Sequence, residues 1–476
     1  MITKGYLFSV AYAALCLCIG FVMYKLRCPK PITRKTVHIL VGFEWIILCH
    51  FLGSSIHFLV ICLLFLAILI LSHSNKMLPM IESDSDNSPG TVYYAVAMSV
   101  MSLIMLFIPN IMLPFGIGVF CTSFGDGFAG LVGQIVKSPK NKQIYGNKTI
   151  CGTLTNFIVC CLAIGILNYC FNIGMNTWRI VATAFFATEL ELFTSKGLDN
   201  ISVTLGASFL SYFLINYKGA ENYLIPILLT PMIIALSYKK RTLTISGIIA
   251  AVVLELIVSF SLCNQGFILL LAFFAGGIFV DKVKKHYKKT EQYIEKRGDC
   301  RNWIQVASNG SVAAICAFLH LCTSNKVFLI AFAASLAEAL ADTTASGIGS
   351  LSNKTFDLCR MRKCSAGLSG GVSLLGTFAS IIGAAVISFV GYAIGLFNLT
   401  DAAVILLAGF LGAIFDSVLG SLLQVKYKCQ SCGIVTEREK HCECDTVKYR
   451  GIRLVNNDVV NFLGTLFAAL IAALLH

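Results

Sequence analysis

Two short strings share the spacing Asp-x-x-Ala-x-x-x-Gly: Asp126, Ala129, Gly133, and, 216 positions later, Asp342, Ala345, Gly349. Each is followed by Lys-x-x-x-Gly, at Lys148 to Gly152 and at Lys363 to Gly367. A third acid completes each set, Asp199 before Asn200 and Asp416 before Ser417. The offsets are 216, 215 and 217 residues, so one order of acid, lysine and acid recurs at nearly one interval. Carboxylates hold hard divalent cations, and a lysine ammonium is a point charge for phosphate that nearby glycines let the backbone approach. The set therefore suggests Mg²⁺ held between Asp126 or Asp342 and nucleotide phosphates, with Lys148 and Lys363 on the phosphates. Two plainer readings stand beside this one. The lysines could be topological anchors, and Ala129, Gly130 and Gly133 lie on one helical stripe that would equally serve helix packing.

These residues must be positioned by membrane helices. The chain has 476 residues, of which 57% are hydrophobic and 13% charged, with a mean hydropathy of +0.79. A soluble domain carries about 25% charged residues. The expected class is an all-α polytopic membrane protein. Sixteen candidate spans lie near 5–24, 37–52, 56–72, 91–108, 111–136, 150–173, 177–195, 201–217, 222–238, 243–262, 264–281, 304–323, 326–349, 369–396, 400–425 and 455–475. The 111–136 segment is expected to break at Pro114 or Gly116. The first run is long for a signal peptide and ends in a basic stretch, so it is read as a span.

Loops on one side of this topology hold 33 of the 37 lysines and arginines. Basic loops are retained in the cytoplasm, so these face inward and the N-terminus faces out. The net charge of +13 follows from this bias, and no nucleic-acid partner is needed to explain it. All three repeated motif elements then sit at cytoplasmic ends of spans, and an even eight spans per unit makes the repeat parallel. Acids at a cytoplasmic rim suit a reaction between a soluble nucleotide and a membrane lipid. Inverted-repeat transporters instead place their sites at the midplane. The expected location is the plasma membrane.

Further residues join the candidates. Glu189, Glu191, Glu255 and Glu338 are acids within apolar runs, where ionisable groups are costly and usually functional, although Glu255 has no counterpart in the other half and reads better as a helix-pairing residue. Glu338 shares a helix face with Asp342. Most of the twenty cysteines lie in apolar runs and act as small hydrophobes. In the polar 426–453 loop, Cys429-x-x-Cys432 and His441-Cys442-x-Cys444 have the ligand types of a structural Zn²⁺ site, with five candidates for four positions, next to Asp416. A set of reduced thiols is the alternative.

The first half resembles the phytol kinase and dolichol kinase group of CTP-dependent membrane kinases. The matching strings are Arg34-Lys35-x-x-His38-x-x-x-Gly42, Gly125-Asp126-Gly-Phe-Ala129-Gly-Leu-Val-Gly133, Gly146-Asn-Lys148-Thr-x-x-Gly152-Thr, and Glu189 with Leu198-Asp199-Asn200. The second half resembles the phytyl-phosphate kinase family. It matches at Asn309-Gly310, Asp342-Thr-x-Ala345 (where that family often has Trp after Thr), Gly367 to Gly376 with Gly370 and Gly371, Asp416-Ser417, and Asn456-Asn457-Asp458-Val-Val-Asn461. The resemblances imply a fusion, with a prenol kinase domain over 1–238 and a prenyl-phosphate kinase domain over 239–476. They imply CTP or another NTP and Mg²⁺ as donor and cofactor, and a prenyl alcohol and its phosphate as substrates. They also imply nucleotide- or substrate-binding roles for Arg34, Lys35, His38, Gly133, Gly152, Glu189, Asn200, Asn309, Gly349, Gly370, Gly371, Asn457 and Asn461. A CDP-lipid-forming cytidylyltransferase would use the same nucleotide, metal and membrane rim. A parallel-repeat transporter is the third reading.

Overall fold

The computed structural model describes all residues except 1, 76, 79–88, 137–142, 146–147, 195, 288–299, 353, 365–367, 438 and 443. The chain forms two compact units, Met1–Met232 and Ile233–His476. Thirteen helical stretches among the described residues are long and apolar enough to cross a membrane, and the chain is an all-α polytopic membrane protein apart from short hairpins.

The first unit contains α1 (Ile2–Lys25), α2 (Lys30–Val41), α3 (Glu44–Leu52), α4 (Ile56–Asn75), α5 (Gly90–Phe107), α6 (Met112–Phe120), α7 (Gly127–Ile135), α8 (Ile150–Phe171), α9 (Thr177–Phe193) and α10 (Asp199–Asn216). The unit boundary falls inside α11 (Leu224–Lys239). The segment expected to break at Pro114 or Gly116 is helical there. It changes instead at Cys121–Asp126, one π-helical turn between α6 and α7 that ends on the motif acid. Such turns widen the backbone locally and recur at functional sites. The core around it is Trp45, Phe58, Met101, Met105, Phe115 and Ile117 with their neighbours.

The second unit contains α12 (Ile245–Tyr287), α13 (Trp303–Thr323), α14 (Lys326–Gly349), α15 (Leu374–Ala393), α16 (Leu399–Leu422) and α17 (Asn457–Leu475). Cys263 interrupts α12 with a left-handed backbone, so α12 covers two of the expected spans. With that break, and with α9 at only 17 residues and α10 at 18, each expected segment coincides in large part with helix among the described residues, although 369–396 opens with a strand. Among the described residues seven helical runs follow α11, so the segments do not divide eight and eight. Asparagine caps start α13, α14, α16 and α17, each accepting from an early backbone N–H that would otherwise be unpaired. α14 is the hub, packed on α12, α13, α15, α16 and α17. Its run of alanines (Ala331, Ala333, Ala334, Ala337, Ala339, Ala341) is buried, and small side chains let that many helices close on one.

Short strands connect the helices: β1 (Gln143–Tyr145) with β2 (Lys148–Thr149) before α8; β3 (Phe356–Asp357), β4 (Arg362–Lys363) and β5 (Gly371–Val372) before α15; and β6 (Lys426–Cys429), β7 (Val435–Thr436), β8 (Lys440–His441) and β9 (Cys444–Arg450) between α16 and α17. The last four form a sheet in the order β7-β6-β9-β8.

Candidate functional site

In the first unit, α2 packs on α7 and on the π-helical turn. Gly130 makes that approach possible: a Cβ there would sit 2.5 Å from Lys35 Cε. The Lys35 chain therefore runs past Gly130, and its Nζ meets Asp126 Oδ2 at 2.6 Å. His38, one helical turn on, sets Nε2 3.7 Å from the same oxygen and 3.3 Å from the Thr122 carbonyl. Lys148, on β2, donates to Glu191 and, at 3.3 Å, to Asp199 Oδ2. Burial works against the Lys148 charge, but attraction to Glu191, then to Asp199 and Asp126, holds its ammonium above the usual lysine range.

The carboxylates of Asp126, Glu191 and Asp199 converge, with oxygens within 4.8 Å of one another. Three acids that close repel unless cations lie between them, and Lys35 and Lys148 do so from two sides. The set is of the type that could hold a hard divalent cation. Glu191 takes the place expected for Glu189. Two positions apart on α9, they point to different faces, and Glu189 is buried away from the group with Oε2 unpartnered among the described residues. Asn200 ties α10 to α5, Nδ2 donating to the Gly90 carbonyl at 2.7 Å. Arg34, Lys35, His38, Asp126, Asp199 and Asn200 line the polar end of a cavity of about 420 Å³. The rest of its lining is mostly apolar, including Leu17, Phe65, Leu69 and Met98, with Glu44 and His73 as further polar groups.

The glycines act differently from expectation. Thr149 caps α8, accepting from Gly152 N–H at 3.1 Å, so that amide is already taken. Gly133 and Gly152 instead bring α7 and α8 together: a Cβ on Gly133 would lie 3.1 Å from Thr149 Oγ1, and one on Gly152 would lie 3.2 Å from the Ala129 carbonyl. In the second unit Ser373 caps α15, accepting from Gly376 N–H at 3.1 Å. A Cβ on Gly349 would lie 3.0 Å from Gly376 Cα, and one on Gly376 would lie 3.2 Å from the Ala345 carbonyl. Gly376, then, stands to Gly349 as Gly152 stands to Gly133. The expected partner, Gly367, lies outside the described residues. Lys363 is exposed on β4 and is not among the residues lining the second unit's cavity. The offset of 215 for the lysine motif is therefore not a structural correspondence.

The third acids also pair differently. Glu191 follows Gly152 by thirty-nine positions and Asp416 follows Gly376 by forty, each on the next helix. Asp199 opens α10 as Asn457 opens α17.

The second unit's cavity, about 660 Å³, is lined by Asp342, Asp416, Ser417, Gly370, Gly371 and Asn457 among others. Glu338, one turn before Asp342, is wedged against α16 and α17 where Gly412 and Gly464 leave room, beside Asp416. Both Glu338 oxygens and Asp416 Oδ2 are buried without hydrogen-bond partners among the described residues. Asn309 and Asn461, expected to bind substrate, bond one another at 3.4 Å and join α13 to α17.

Sequence reasoning missed the network that holds the cavity's glycine loop. Lys426, fully buried, donates Nζ to the Ser369 carbonyl. Burial, then the nearby Arg450, pushes its pKa down to about 8 against the pull of Glu437 and Asp357. Glu437 accepts from Ser369 N–H at 2.9 Å, and Ser369 Oγ donates to Asn457 Oδ1 at 3.3 Å. Gly370 has φ +79, and a Cβ there would meet Ser421 N at 2.4 Å, so only glycine fits. Ser421 and Arg450 both donate to Asp357. No sequence signal separates Lys426 from the other lysines of its basic loop. Nearby, Cys429, Cys432, His441 and Cys442 form a second group of possible metal ligands, and Cys444 falls outside it.

The chain is 28% identical over 263 residues to the chloroplastic protein VTE6 of Arabidopsis thaliana, which covers 54% of this chain and 70% of that one. It is 30% identical over 190 residues to a phytol kinase of Synechocystis, covering 39% of this chain and 79% of that one. An uncharacterized membrane protein of Methanocaldococcus jannaschii is 28% identical over 254 residues, 51% of this chain and 90% of that one. No solved structure matches. The family described as integral membrane protein DUF92 matches residues 228–469. That match spans half of the sequence, essentially the whole second unit with its acids, glycine loop and cysteine sheet, and the chain belongs to this integral membrane family.

Proposed function

We propose that the chain is a membrane isoprenoid kinase with two sites. The first unit phosphorylates a prenyl alcohol, and the second phosphorylates the monophosphate to the diphosphate, each with Mg²⁺ and CTP or another NTP. The observation that carries this reading is Asp126, Glu191 and Asp199 converging within 4.8 Å beside Lys35 and Lys148, with Asp126, Asp199 and Lys35 also lining a largely apolar cavity. A prenol is one hydroxyl on a long hydrocarbon and needs that combination. The relative named phytol kinase supports the substrate class.

Asp126 and Glu191, two of the three converging acids, would hold the Mg²⁺, which when bound supplies charge neutralisation to the transferring phosphates. Lys148, displaced from its acids, would turn its ammonium to phosphate oxygens as a compact point charge. Lys35 holds Asp126 in place through their ion pair. Asp199, more loosely held at 3.3 Å, would take the hydroxyl proton. The apolar walls exclude water, so that the alcohol rather than water is the acceptor. In the second unit Asp342 and Asp416, which line the cavity, would hold the metal, and the Ser369–Gly371 loop with Asn457 would receive the substrate phosphate. Both sites face the cytoplasm in this reading, as the basic loops require.

Membranes containing the protein, incubated with prenols and either γ-labelled or α-labelled CTP, test the proposal. It expects γ label in a prenyl monophosphate and then a diphosphate. Label from the α position in the lipid product would make it a cytidylyltransferase. Transfer of neither label, with any of the common NTPs, would leave no kinase.

A further inference from the structure

The sheet between α16 and α17 has strands of four, two, two and seven residues, too little to build a core of its own. Isolated assemblies of that size are held by disulfides or a metal, and all four cysteines here are free thiols. Cys429 ends β6 and is buried. Its N–H donates to the Ile434 carbonyl at 2.9 Å, and Gly433 N–H donates to the Cys429 carbonyl at 3.0 Å. With Gly433 at φ +73, this turn folds Cys432 back beside Cys429. From the other side the β8–β9 hairpin turns at Cys442, itself left-handed with φ +51, and brings up His441. The four ligand atoms lie within 4.8 Å of one another. His441 Nδ1 is 3.4 Å from Cys432 Sγ and 3.2 Å from Cys442 Sγ. Ligands of a tetrahedral zinc, with Zn–S of about 2.3 Å, stand roughly 3.5–4 Å apart.

We propose that Cys429, Cys432, His441 and Cys442 bind a structural Zn²⁺ that braces the wall of the second unit's cavity. Three thiolates and one imidazole close the coordination sphere and leave no position for substrate, so the ion's role is structural. The five sequence candidates resolve to four, with Cys444 left out. The brace runs through the sheet's own strands. Lys426, opening the strand that Cys429 ends, donates to the Ser369 carbonyl. Glu437, just past β7, accepts from Ser369 N–H. Arg450, at the end of β9, holds Asp357, which accepts from Ser421 beneath Gly370. Fixing the sheet fixes the loop, whatever reaction the cavity performs.

The full chain, purified in detergent after expression with zinc present, is assayed for metal by mass spectrometry. About one equivalent is expected, falling below about a fifth in Cys432→Ser and His441→Ala and retained in Cys444→Ser. Replacing the ion in the unmutated protein with Co²⁺ should give the absorption of a tetrahedral thiolate site, a readout that no misfolded variant can confound. Chelation should speed amide exchange at 368–372. Wild-type protein with less than about a fifth of an equivalent would overturn the site, as would loss in Cys444→Ser matching that in Cys432→Ser. Unchanged exchange at 368–372 after zinc removal would overturn the brace.

Discussion

Lys35 and Asp126, ninety-one positions apart, meet at 2.6 Å inside the first unit, and the contact exists because position 130 is glycine. The pair joins a basic helix to the acid at the end of a π-helical turn. It sets opposite charges side by side where either one alone would be costly. A buried ion pair contributes little net stability, but removing one partner strands the other at a cost of about 3–5 kcal/mol. The pair is better understood as positioning than as a source of stability.

Lys148→Ala should slow prenol phosphorylation roughly a hundredfold, the usual cost of losing one preorganised contact to transferring charge. Lys148→Arg preserves the positive loop and should insert at wild-type abundance, yet remain impaired, because the planar fork cannot copy a compact ammonium between Glu191 and Asp199. Phosphorylation assays at matched membrane levels decide this. Near wild-type rates in the arginine variant would reduce Lys148 to a topological anchor.

Glu191→Gln should cost the first step roughly as much as Lys148→Ala, whereas Glu189→Gln should leave it within about threefold, since only Glu191 faces the other acids. Initial rates of both variants with one prenol check the assignment. The reverse order would return the role to Glu189.

The sequence made the helices and the two motif acids legible because both depend on local features: long apolar runs, and a charge where charge is costly. Choosing Glu191 over Glu189 depended on which face of α9 meets α8, and an apolar helix carries no periodic signal for that. The lysine motif misled for a different reason. Nineteen positions separate Gly133 from Gly152, but twenty-seven separate Gly349 from Gly376. The added residues form β3 and β4 and carry Lys363. A lysine and a glycine in that insertion matched the spacing while the capped helix start lay further on, at Ser373. Ser369, Lys426, Glu437 and Asp357 come together only through the sheet between α16 and α17, beyond the reach of any spacing.

Lys363→Ala should therefore leave second-step activity within about twofold of wild type, as expected for an exposed lysine. Lys426→Met, of similar length, should release the Ser369 carbonyl and slow that step by roughly tenfold or more. Rates of monophosphate conversion in the two variants separate them. A severe defect in Lys363→Ala would restore it as a site residue.

Asp357 supplies a pH dependence with a definite sign. Burial alone would raise its pKa, but hydrogen bonds from Ser421 and Arg450 outweigh this and hold it below the ordinary carboxylate value. A depressed folded-state pKa contributes stability that is complete above the unfolded value, about 3.9, and is lost as pH falls through the folded one. Thermal unfolding in detergent should show stability falling as the pH drops below about 4, with a shallower fall in Asp357→Asn. An identical slope in that variant would mean that the Asp357 charge does not hold the loop.

The most direct test of two separate sites is the product pattern of Asp126→Asn and Asp342→Asn in membranes given a prenol and labelled NTP. Loss of a metal-binding carboxylate should cost its own step roughly a hundredfold or more. Asp126→Asn should make no monophosphate yet still convert supplied prenyl monophosphate to diphosphate. Asp342→Asn should accumulate monophosphate. If either single change, in correctly inserted protein, stopped both conversions, the two acid sets would not be independent sites, and the two-step account would be wrong.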